Sequence, residues 1–281
     1  MRDNKEQADY WSSASGLKWI TFEQELDTVF ERVNLELIRR ARPTAGERVL
    51  DIGCGTGATT RAFARYLEPD GAITALDISE PLLTQAKARA GELTVNSSFH
   101  LLDAQQDSIP DAPFDLVTSR FGVMFFADPI SAFANVRRHM REGARMVVAA
   151  WASMSENPWF DAPNNAAVER LGPADPMEKN APGPLGFQDI DHVVGILKSA
   201  GFSDATGEVA NVTLVYPGAL RKVASLASNI GPAARILKKY HGTRKDVAAT
   251  QEAVLQKFRK FENAQSVDIP ARLNFFESTN R

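Results

Sequence analysis

The stretch Arg48-Val49-Leu50-Asp51-Ile52-Gly53-Cys54-Gly55-Thr56-Gly57-Ala58-Thr59 decides the fold of this chain. An apolar strand ends near an acid, passes through three alternating glycines and enters a helix. Glycines lower the cost of positive φ and let a ligand approach the backbone without meeting a Cβ. A glycine-rich turn between a strand and a helix is the context that distinguishes a ligand-binding turn from an ordinary loop.

The acid at the end of the strand indicates which ligand the turn binds. A dinucleotide-binding turn offers backbone N–H groups to a pyrophosphate, and a carboxylate at Asp51 would repel that group. Asp51 suits a ligand with positive charge, such as the α-amino group and the sulfonium of S-adenosylmethionine. The turn therefore favours S-adenosylmethionine, and a nicotinamide-dependent reductase stays open as a less favoured alternative.

Residues 49–57, Val-Leu-Asp-Ile-Gly-Cys-Gly-Thr-Gly, resemble the first motif of class I S-adenosylmethionine-dependent methyltransferases. From about residue 10 the chain is similar to the ubiquinone/menaquinone-biosynthesis C-methyltransferase-like branch of that family. This similarity includes the stretches Ser119-Arg120-Phe121-Gly122-Val123-Met124-Phe125-Phe126 and Asn157-Pro158-Trp159. The resemblance implies that the methionine end of the cofactor is held by Gly53, Cys54, Gly55, Thr56 and Gly57.

Further strand ends carry polar groups. Asp77 closes a predicted strand 20 residues past Gly57, the distance at which a carboxylate receives the hydroxyls of an adenosyl ribose. A helix cap is the competing interpretation of Asp77, although Ser79 is better suited to that role. The resemblance implies that Asp103 and Ala104 bind the adenine amino group. The expected cofactor residues are completed by Ile78 and Ser119.

Strand and helix patterns alternate five times and are followed by two more strands, which predicts an α/β fold. We expect a doubly wound, seven-stranded, mostly parallel sheet with an antiparallel C-terminal edge. The predicted strands are 47–52, 72–77, 98–102, 114–119, 145–151, 209–216 and 270–278. Around them we expect a lid segment (1–23), a Rossmann-like core (24–152, continued over 188–216 and 263–281), a substrate-side loop insertion (153–187) and a helical cap (217–262).

Composition excludes several classes of partner. A net charge of −3 gives no broad basic surface for nucleic acid or for an anionic membrane. The longest apolar run, 146–152, is far below the roughly 20 residues that cross a bilayer, so we expect no membrane span and a cytoplasmic protein. The single cysteine, Cys54, excludes an internal disulfide and a cysteine-cluster metal site. No metal cofactor is therefore expected.

Aromatic residues after the strand ends predict an apolar acceptor pocket. Phe125, Trp151 and Trp159 are its candidates, with ordinary core filling as an equally good interpretation. The segment 119–122 lacks the Asn/Asp-Pro-Pro-aromatic signature that resembles amino methylation of nucleobases, which argues against nucleic-acid bases as acceptors.

The four histidines, His100, His139, His192 and His241, are scattered and predicted to be structural. The sequence thus assigns no catalytic base and no oligomeric state. The expected function is methyl transfer to a small lipophilic or aromatic acceptor, with a quinol-like or phenolic one slightly favoured. A non-catalytic protein that binds S-adenosylmethionine or S-adenosylhomocysteine would share every cofactor residue.

Overall fold

The computed structural model describes residues 4–176 and 178–281. The first three residues of the expected lid segment and Met177 of the expected loop insertion lie outside the described residues. A seven-stranded sheet has the order β3-β2-β1-β4-β5-β7-β6. Its strands are β1 (Arg48–Ile52), β2 (Ala72–Asp77), β3 (Asn96–Leu101), β4 (Phe114–Arg120), β5 (Met140–Trp151), β6 (Thr206–Tyr216) and β7 (Val267–Thr279).

The first five strands are parallel, and β7 is antiparallel to both of its neighbours, β5 and β6. The predicted mostly parallel sheet with an antiparallel C-terminal edge is therefore confirmed. β1 lies inside the sheet between β2 and β4, and Val49, Leu50 and Ile52 are buried because helices cover both faces of a parallel sheet. The carboxyl end of β1 thus meets those of β2 and β4 at one edge.

The helices alternate with the strands up to β5 and then cluster between β6 and β7. They are α1 (Lys5–Ser12), α2 (Ala14–Thr21), α3 (Glu23–Val29), α4 (Glu31–Ala41), α5 (Ala58–Ala64), α6 (Glu80–Arg89), α7 (Pro129–Arg138), α8 (Pro158–Leu171), α9 (Ile190–Ser199), α10 (Leu220–Asn229), α11 (Pro232–Lys239) and α12 (Arg244–Phe258). The last three helices fall inside the segment for which a helical cap is predicted.

The first amphipathic segment, expected as one helix from residue 22 to 41, consists of α3 and α4 with a break at Phe30. Phe30 has φ −96° and ψ 8°, which is not helical. Its side chain is buried, at 2% exposed, and packs against three tryptophans and Phe121. Periodicity could not show this break because the apolar spacing continues through it.

The segment 153–187, expected as a loop, contains the 14-residue helix α8. Asn157 precedes it, and the Asn157 side chain bonds the backbone N–H and C=O of Arg272 on β7. Pro158 occupies the first turn, where a missing N–H costs nothing. The proline- and glycine-rich composition predicts a loop correctly only after this helix, since residues 172–176 and 178–189 contain no helix or strand.

Strand β5 was expected to begin at Arg145, after a helix closed by Glu142-Gly143. It begins at Met140 instead, and its register against β4 shifts between Phe114 and Leu116. Gly143 has φ 77°, a conformation that glycine adopts without strain. The glycine therefore marks an irregularity inside the strand, and the helix has already ended at Arg138.

Candidate functional site

A cavity of about 180 Å³ lies at the carboxyl ends of the parallel strands, and most of its wall is apolar. Chain connectivity reverses direction between β1 and β4, and open α/β sheets bind ligands at such a point. Residues from the first helix, from five strand ends and from α8 and α11 all contribute to the wall.

Seven of the eleven residues predicted to bind the cofactor line this cavity. They form what we call the strand-tip side: Gly53, Gly55, Thr56, Asp77, Ile78, Asp103 and Ala104. Asp51, Cys54, Gly57 and Ser119 do not belong to the wall. The sequence pattern identified which strand ends meet, but not which side chains turn toward the space between them.

Asp51 is fully buried behind the glycine turn. Its Oδ2 accepts a 2.6 Å hydrogen bond from the Thr60 hydroxyl, and its Oδ1 has no partner among the described residues. Burial raises the pKa of Asp51 to about 6, against the opposing effects of the Thr60 hydrogen bond and the charge of Arg120. Asp51 thus acts on the cavity through its charge and not through contact.

The other three residues absent from the wall support the turn. The buried Ser119 hydroxyl donates to the Ile52 carbonyl at 2.6 Å, which joins the ends of β4 and β1. Gly57 begins α5 at φ 87°, where an added Cβ would lie 3.3 Å from that of Ala86. Cys54 is buried, and burial raises the pKa of its thiol well above the usual value. A buried, protonated thiol fits the predicted packing role.

The glycine turn leaves room for a ligand. Gly53 has φ 69°, and an added Cβ would come within 2.8 Å of the Gly122 Cα, so two backbone segments meet here at glycines. Gly55 has φ 56°, and an added Cβ would find nothing within 4 Å. Because Gly55 lines the cavity, its missing side chain leaves open space beside the exposed backbone.

Asp77 fixes the end of β2 to the glycine turn. Its Oδ2 accepts the Gly55 N–H and its Oδ1 accepts the Ser79 N–H, each at 2.8 Å. The residue is only 7% exposed, and burial raises the pKa of Asp77 to about 6 although these N–H groups lower it. A carboxylate offers about four lone-pair sites, so Asp77 retains capacity for further donors from the cavity.

The N-terminal helix covers the strand-tip side. The Asn4 amide donates to Asp103 Oδ1 at 2.7 Å and accepts the Ala127 N–H at 2.8 Å. The Ser79 hydroxyl donates to the Trp11 carbonyl at 3.0 Å. Asn4 and Trp11 both line the cavity. Sequence reasoning predicted a lid over residues 1–23 but did not single out Asn4, because a lone asparagine carries no pattern.

The second part of the wall, which we call the aromatic side, consists of Trp19, Phe30, Phe121, Phe125, Trp151, Trp159 and Phe160. Phe121 stacks on Trp151 with ring centroids 4.7 Å apart and planes at 13°. The three predicted pocket residues, Phe125, Trp151 and Trp159, all line the cavity. The two tryptophans are also 3% and 1% exposed members of the main core. Pocket lining and core filling are therefore both true of them.

Arg120, the last residue of β4, also lines the cavity, and sequence reasoning did not single it out. Its Nε and Nη1 are buried without a hydrogen-bond partner. The guanidinium carbon lies 5.5 Å from the centroid of the Phe30 ring. Burial lowers the pKa of Arg120 below its usual value. The predicted strand ended one residue earlier, at Ser119, so the polar residue expected at this strand end was Ser119.

Few ionisable side chains face the cavity. Among the described residues these are Tyr10, Asp77, Asp103, Arg120 and Arg235. None of the four histidines belongs to the described wall, as expected if they are structural. Within residues 4–176 and 178–281, no group of three or more His, Cys, Asp or Glu side chains could hold a metal ion. Over the same residues, no helix is both long and apolar enough to cross a membrane.

Comparison with known proteins identifies similar chains. Residues 49–143 match the family model described as "Methyltransferase domain". The chain is 35% identical over 119 residues to the ubiquinone/menaquinone biosynthesis C-methyltransferase UbiE of Burkholderia mallei, an alignment covering 42% of this chain and 49% of that protein. The chain thus spans about half the length of the curated relatives it matches.

Two solved structures share the fold at low sequence identity. The YcgJ protein of Bacillus subtilis is 18% identical with a TM-score of 0.54, over 89% of this chain and 99% of that one. The phosphoethanolamine N-methyltransferase 2 of Haemonchus contortus, in complex with S-adenosyl-L-methionine, is 16% identical with a TM-score of 0.55, over 99% of this chain and 60% of that one. These likenesses concern the fold alone.

Proposed function

We propose that this chain is an S-adenosylmethionine-dependent methyltransferase that transfers a methyl group to a small lipophilic or aromatic acceptor, and the match of residues 49–143 to a methyltransferase domain supports this proposal. One observation carries the proposal: the strand-tip side and the aromatic side line a single cavity. A protein that only binds the cofactor has no need of a second, aromatic wall facing it. An enzyme is therefore favoured over a non-catalytic binding protein.

The residues of the strand-tip side fit S-adenosylmethionine. In our proposal Asp77 accepts the ribose hydroxyls, while Asp103 and the Ala104 backbone bind the adenine amino group. The backbone of Gly53 and Gly55 takes the methionine end, where the open space at Gly55 admits it without a clash. The buried negative charge of Asp51 favours a cationic ligand from behind the turn.

S-adenosylmethionine, when bound, supplies a methyl group on a sulfonium that leaves as a neutral thioether. The chain itself positions the acceptor and keeps water away, which the apolar wall does. The aromatic side offers no histidine, lysine, glutamate or cysteine among the described wall residues. An acceptor that is already ionised, or whose proton passes to water, suits this site because neither needs a protein base.

The aromatic side supports the proposed class of acceptor. Flat rings at 4.7 to 6.4 Å from one another form a surface for an aromatic or lipophilic molecule. The Burkholderia mallei relative is named a ubiquinone/menaquinone biosynthesis C-methyltransferase, which supports a quinol-like or phenolic acceptor here. With a net charge of −3, nucleic acid is not part of the proposal.

A methyl-transfer screen tests the function. The purified chain is incubated with S-adenosylmethionine and a panel of phenols, quinols, aromatic acids and aliphatic amines, and S-adenosylhomocysteine release is measured. We expect release above the acceptor-free rate with a phenolic or quinol-like member. Binding of S-adenosylhomocysteine without turnover on any member would favour the binding-protein alternative. Absence of binding would contradict the proposal as a whole.

A further inference from the structure

Arg120 is a charged side chain placed where charge is costly. Its guanidinium lines an apolar cavity, and two of its nitrogens are buried with no hydrogen-bond partner. Buried charges in proteins are normally paired, because an uncompensated one loses its hydration without return. The face of the Phe30 ring, with its centroid 5.5 Å from the guanidinium carbon, offsets only part of that loss.

The acids whose charges act on Arg120 do not pair with it. Asp27 and Asp51 are the two carboxylates whose charges act on Arg120. Asp27 accepts from Arg89, and Asp51 accepts from the Thr60 hydroxyl. Neither carboxylate forms an ion pair with Arg120 in the part of the chain that the structure describes. The guanidinium is therefore attracted toward acids that it does not reach, and its charge remains uncompensated at the wall of the cavity.

The backbone holds this arrangement under strain. Phe121, directly after Arg120, has φ 67°, a left-handed conformation that is an outlier for an aromatic residue. Its N–H donates to the Ala149 carbonyl at 2.9 Å, and Gly122 packs against Gly53 of the glycine turn. Such strain persists only where surrounding contacts enforce it, and it clusters at functional sites. The end of β4 is thus fixed at the junction of the strand-tip and aromatic sides.

We infer that Arg120 is the binding site for an organic carboxylate inside the cavity. A guanidinium presents a planar fork of N–H donors that matches the two oxygens of a carboxylate. Such a ligand would pair the cation through Nη2 together with either Nε or Nη1, which point to different sides of the guanidinium. The inference deepens the proposed function. It rests on that function where the carboxylate is supplied by the cofactor.

Two bound molecules would bring a carboxylate to this point. One is the cofactor, whose methionine end carries an α-carboxylate beside the glycine turn. The other is an aromatic acid bound as acceptor against the aromatic side. The chemistry at Arg120 is the same in both, so the two sources are separated by choosing ligands that carry or lack the group.

The first arm of the test uses S-adenosylhomocysteine and 5′-methylthioadenosine, which share the adenosyl thioether but differ in the amino-acid group. Titration calorimetry compares the wild type with Arg120→Met. If the cofactor supplies the carboxylate, the variant loses about 10- to 150-fold in affinity for S-adenosylhomocysteine, the range for hydrogen bonds to charged groups. Its affinity for 5′-methylthioadenosine stays within twofold.

The second arm uses benzoate and benzamide, titrated into protein saturated with S-adenosylhomocysteine. If an acidic acceptor supplies the carboxylate, Arg120→Met loses benzoate binding by a similar factor. Benzamide binding and cofactor affinity are then unchanged. Arg120→Lys, which keeps the charge but not the fork, should recover part of the loss in whichever arm responds.

Two controls distinguish carboxylate binding by Arg120 from a purely structural role of this residue. Arg65→Met removes one positive charge from an exposed position outside the cavity and should change neither arm. Thermal unfolding of Arg120→Met should show no large loss of stability, since the removed charge is desolvated and unpaired. Should that variant fail to fold, Arg120→Gln, which is neutral but polar, takes its place in both arms.

Equal binding of S-adenosylhomocysteine and of benzoate by the wild type and the neutral variant, within twofold, overturns the inference. A wild type that binds neither S-adenosylhomocysteine nor 5′-methylthioadenosine contradicts the proposed function instead. Benzoate titration without cofactor then tests by itself whether Arg120 binds a carboxylate. The two failures are therefore distinguishable.

Discussion

The two sides of the cavity are built by different means. The strand-tip side is made of backbone groups and short polar side chains at consecutive strand ends, within residues 53–104. The aromatic side draws rings from α2, from the break between α3 and α4, from the ends of β4 and β5, and from α8. A site made of chain-local motifs keeps its ligand across many proteins, whereas one assembled from distant elements can change its ligand by changing single side chains.

The two sides also differ in what they do for stability. Asp51 and Asp77 are buried carboxylates whose pKa values are raised to about 6, so their ionisation works against folding. The aromatic side is continuous with the main core and contributes to folding through its packing. We therefore expect changes on the strand-tip side to affect cofactor affinity most, and changes on the aromatic side to affect acceptor kinetics and packing.

Asp77→Ala should have the largest effect. It removes the acceptor for the Gly55 and Ser79 N–H groups and the proposed ribose contact. We expect S-adenosylhomocysteine affinity to fall by about 10- to 150-fold, the range for hydrogen bonds to a charged group. Titration calorimetry measures it.

Asp115→Ala is the matched control for Asp77→Ala. Asp115 also accepts a backbone N–H, that of Arg48 at 2.8 Å, but it lies at the opposite end of the sheet. This variant should lose stability and keep cofactor affinity. A folded Asp77→Ala with unchanged affinity would remove Asp77 from the ribose site.

Asp51→Asn tests whether the buried carboxylate behind the strand-tip side costs stability. The folded-state pKa of Asp51, about 6, exceeds the unfolded value near 3.9, so the native state binds more protons between these values. The ionised group therefore lowers stability as pH rises from about 4 to 6. Relative to the wild type, Asp51→Asn should gain about 2 to 3 kcal/mol across this window, at about 1.4 kcal/mol per pKa unit.

Urea denaturation of both proteins at pH 4, 5, 6 and 7 measures that difference. The asparagine retains an oxygen for the Thr60 hydroxyl, so the hydrogen bond of the wild type is kept. Affinity for S-adenosylmethionine should fall at the same time, because the charge behind the turn is lost. A stability difference that does not vary with pH would show that burial does not perturb Asp51.

Phe125→Ala tests the aromatic side with less risk to the core. Phe125 is only partly buried, and its ring meets that of Trp11 at 5.0 Å, edge to face. We expect the acceptor KM to rise by about 2- to 12-fold, from the 0.5 to 1.5 kcal/mol that an aromatic pair contributes. Affinity for S-adenosylhomocysteine should not change.

Trp151→Phe is the companion variant for steady-state kinetics. It keeps an aromatic ring against Phe121 and avoids the 3 to 5 kcal/mol that a tryptophan-to-alanine change costs in a core. A similar rise in the acceptor KM is expected. If both variants lower cofactor affinity and leave acceptor KM unchanged, the division of the cavity into two sides is wrong.

The smallest of the expected effects is that of ligand binding on the rate of proteolysis in the segment between α8 and α9. Gly183 donates to the Met124 carbonyl at 3.0 Å, and Pro184 lines the cavity. We expect limited proteolysis to cut first within residues 172–186, where regular backbone hydrogen bonding is sparse, and S-adenosylhomocysteine to slow the cut. Cleavage at an equal rate with saturating cofactor product and acceptor would identify a passive linker.

The two sides of the cavity also differ in how far they can be predicted from the sequence. The family resemblance and the seven-stranded sheet are confirmed, because glycine turns and strand ends are local in sequence. The meeting of Asp77 and Asp103 at one edge follows from parallel pairing of β1, β2 and β3. The roles of the individual cofactor residues stay predictions.

The features that sequence reasoning missed depend on long-range packing. The break at Phe30 sits inside an unbroken apolar period, and α8 follows a proline that fits a loop equally well. Asn4 reaches Asp103 across 99 residues, which no local pattern records. Asp51 is fully buried and does not line the cavity, which its position at a strand end did not show, and its role in cofactor binding stays a prediction.

A crystal structure of the chain with S-adenosylhomocysteine tests the central claim, that one cavity holds the cofactor on its strand-tip side and the acceptor on its aromatic side. We expect the ribose hydroxyls within hydrogen-bonding distance of Asp77 and the homocysteine end against Gly53 and Gly55. The sulfur should face Phe121 and Trp151. Density for the ligand outside the cavity, or a sulfur turned away from the aromatic side, would contradict the claim.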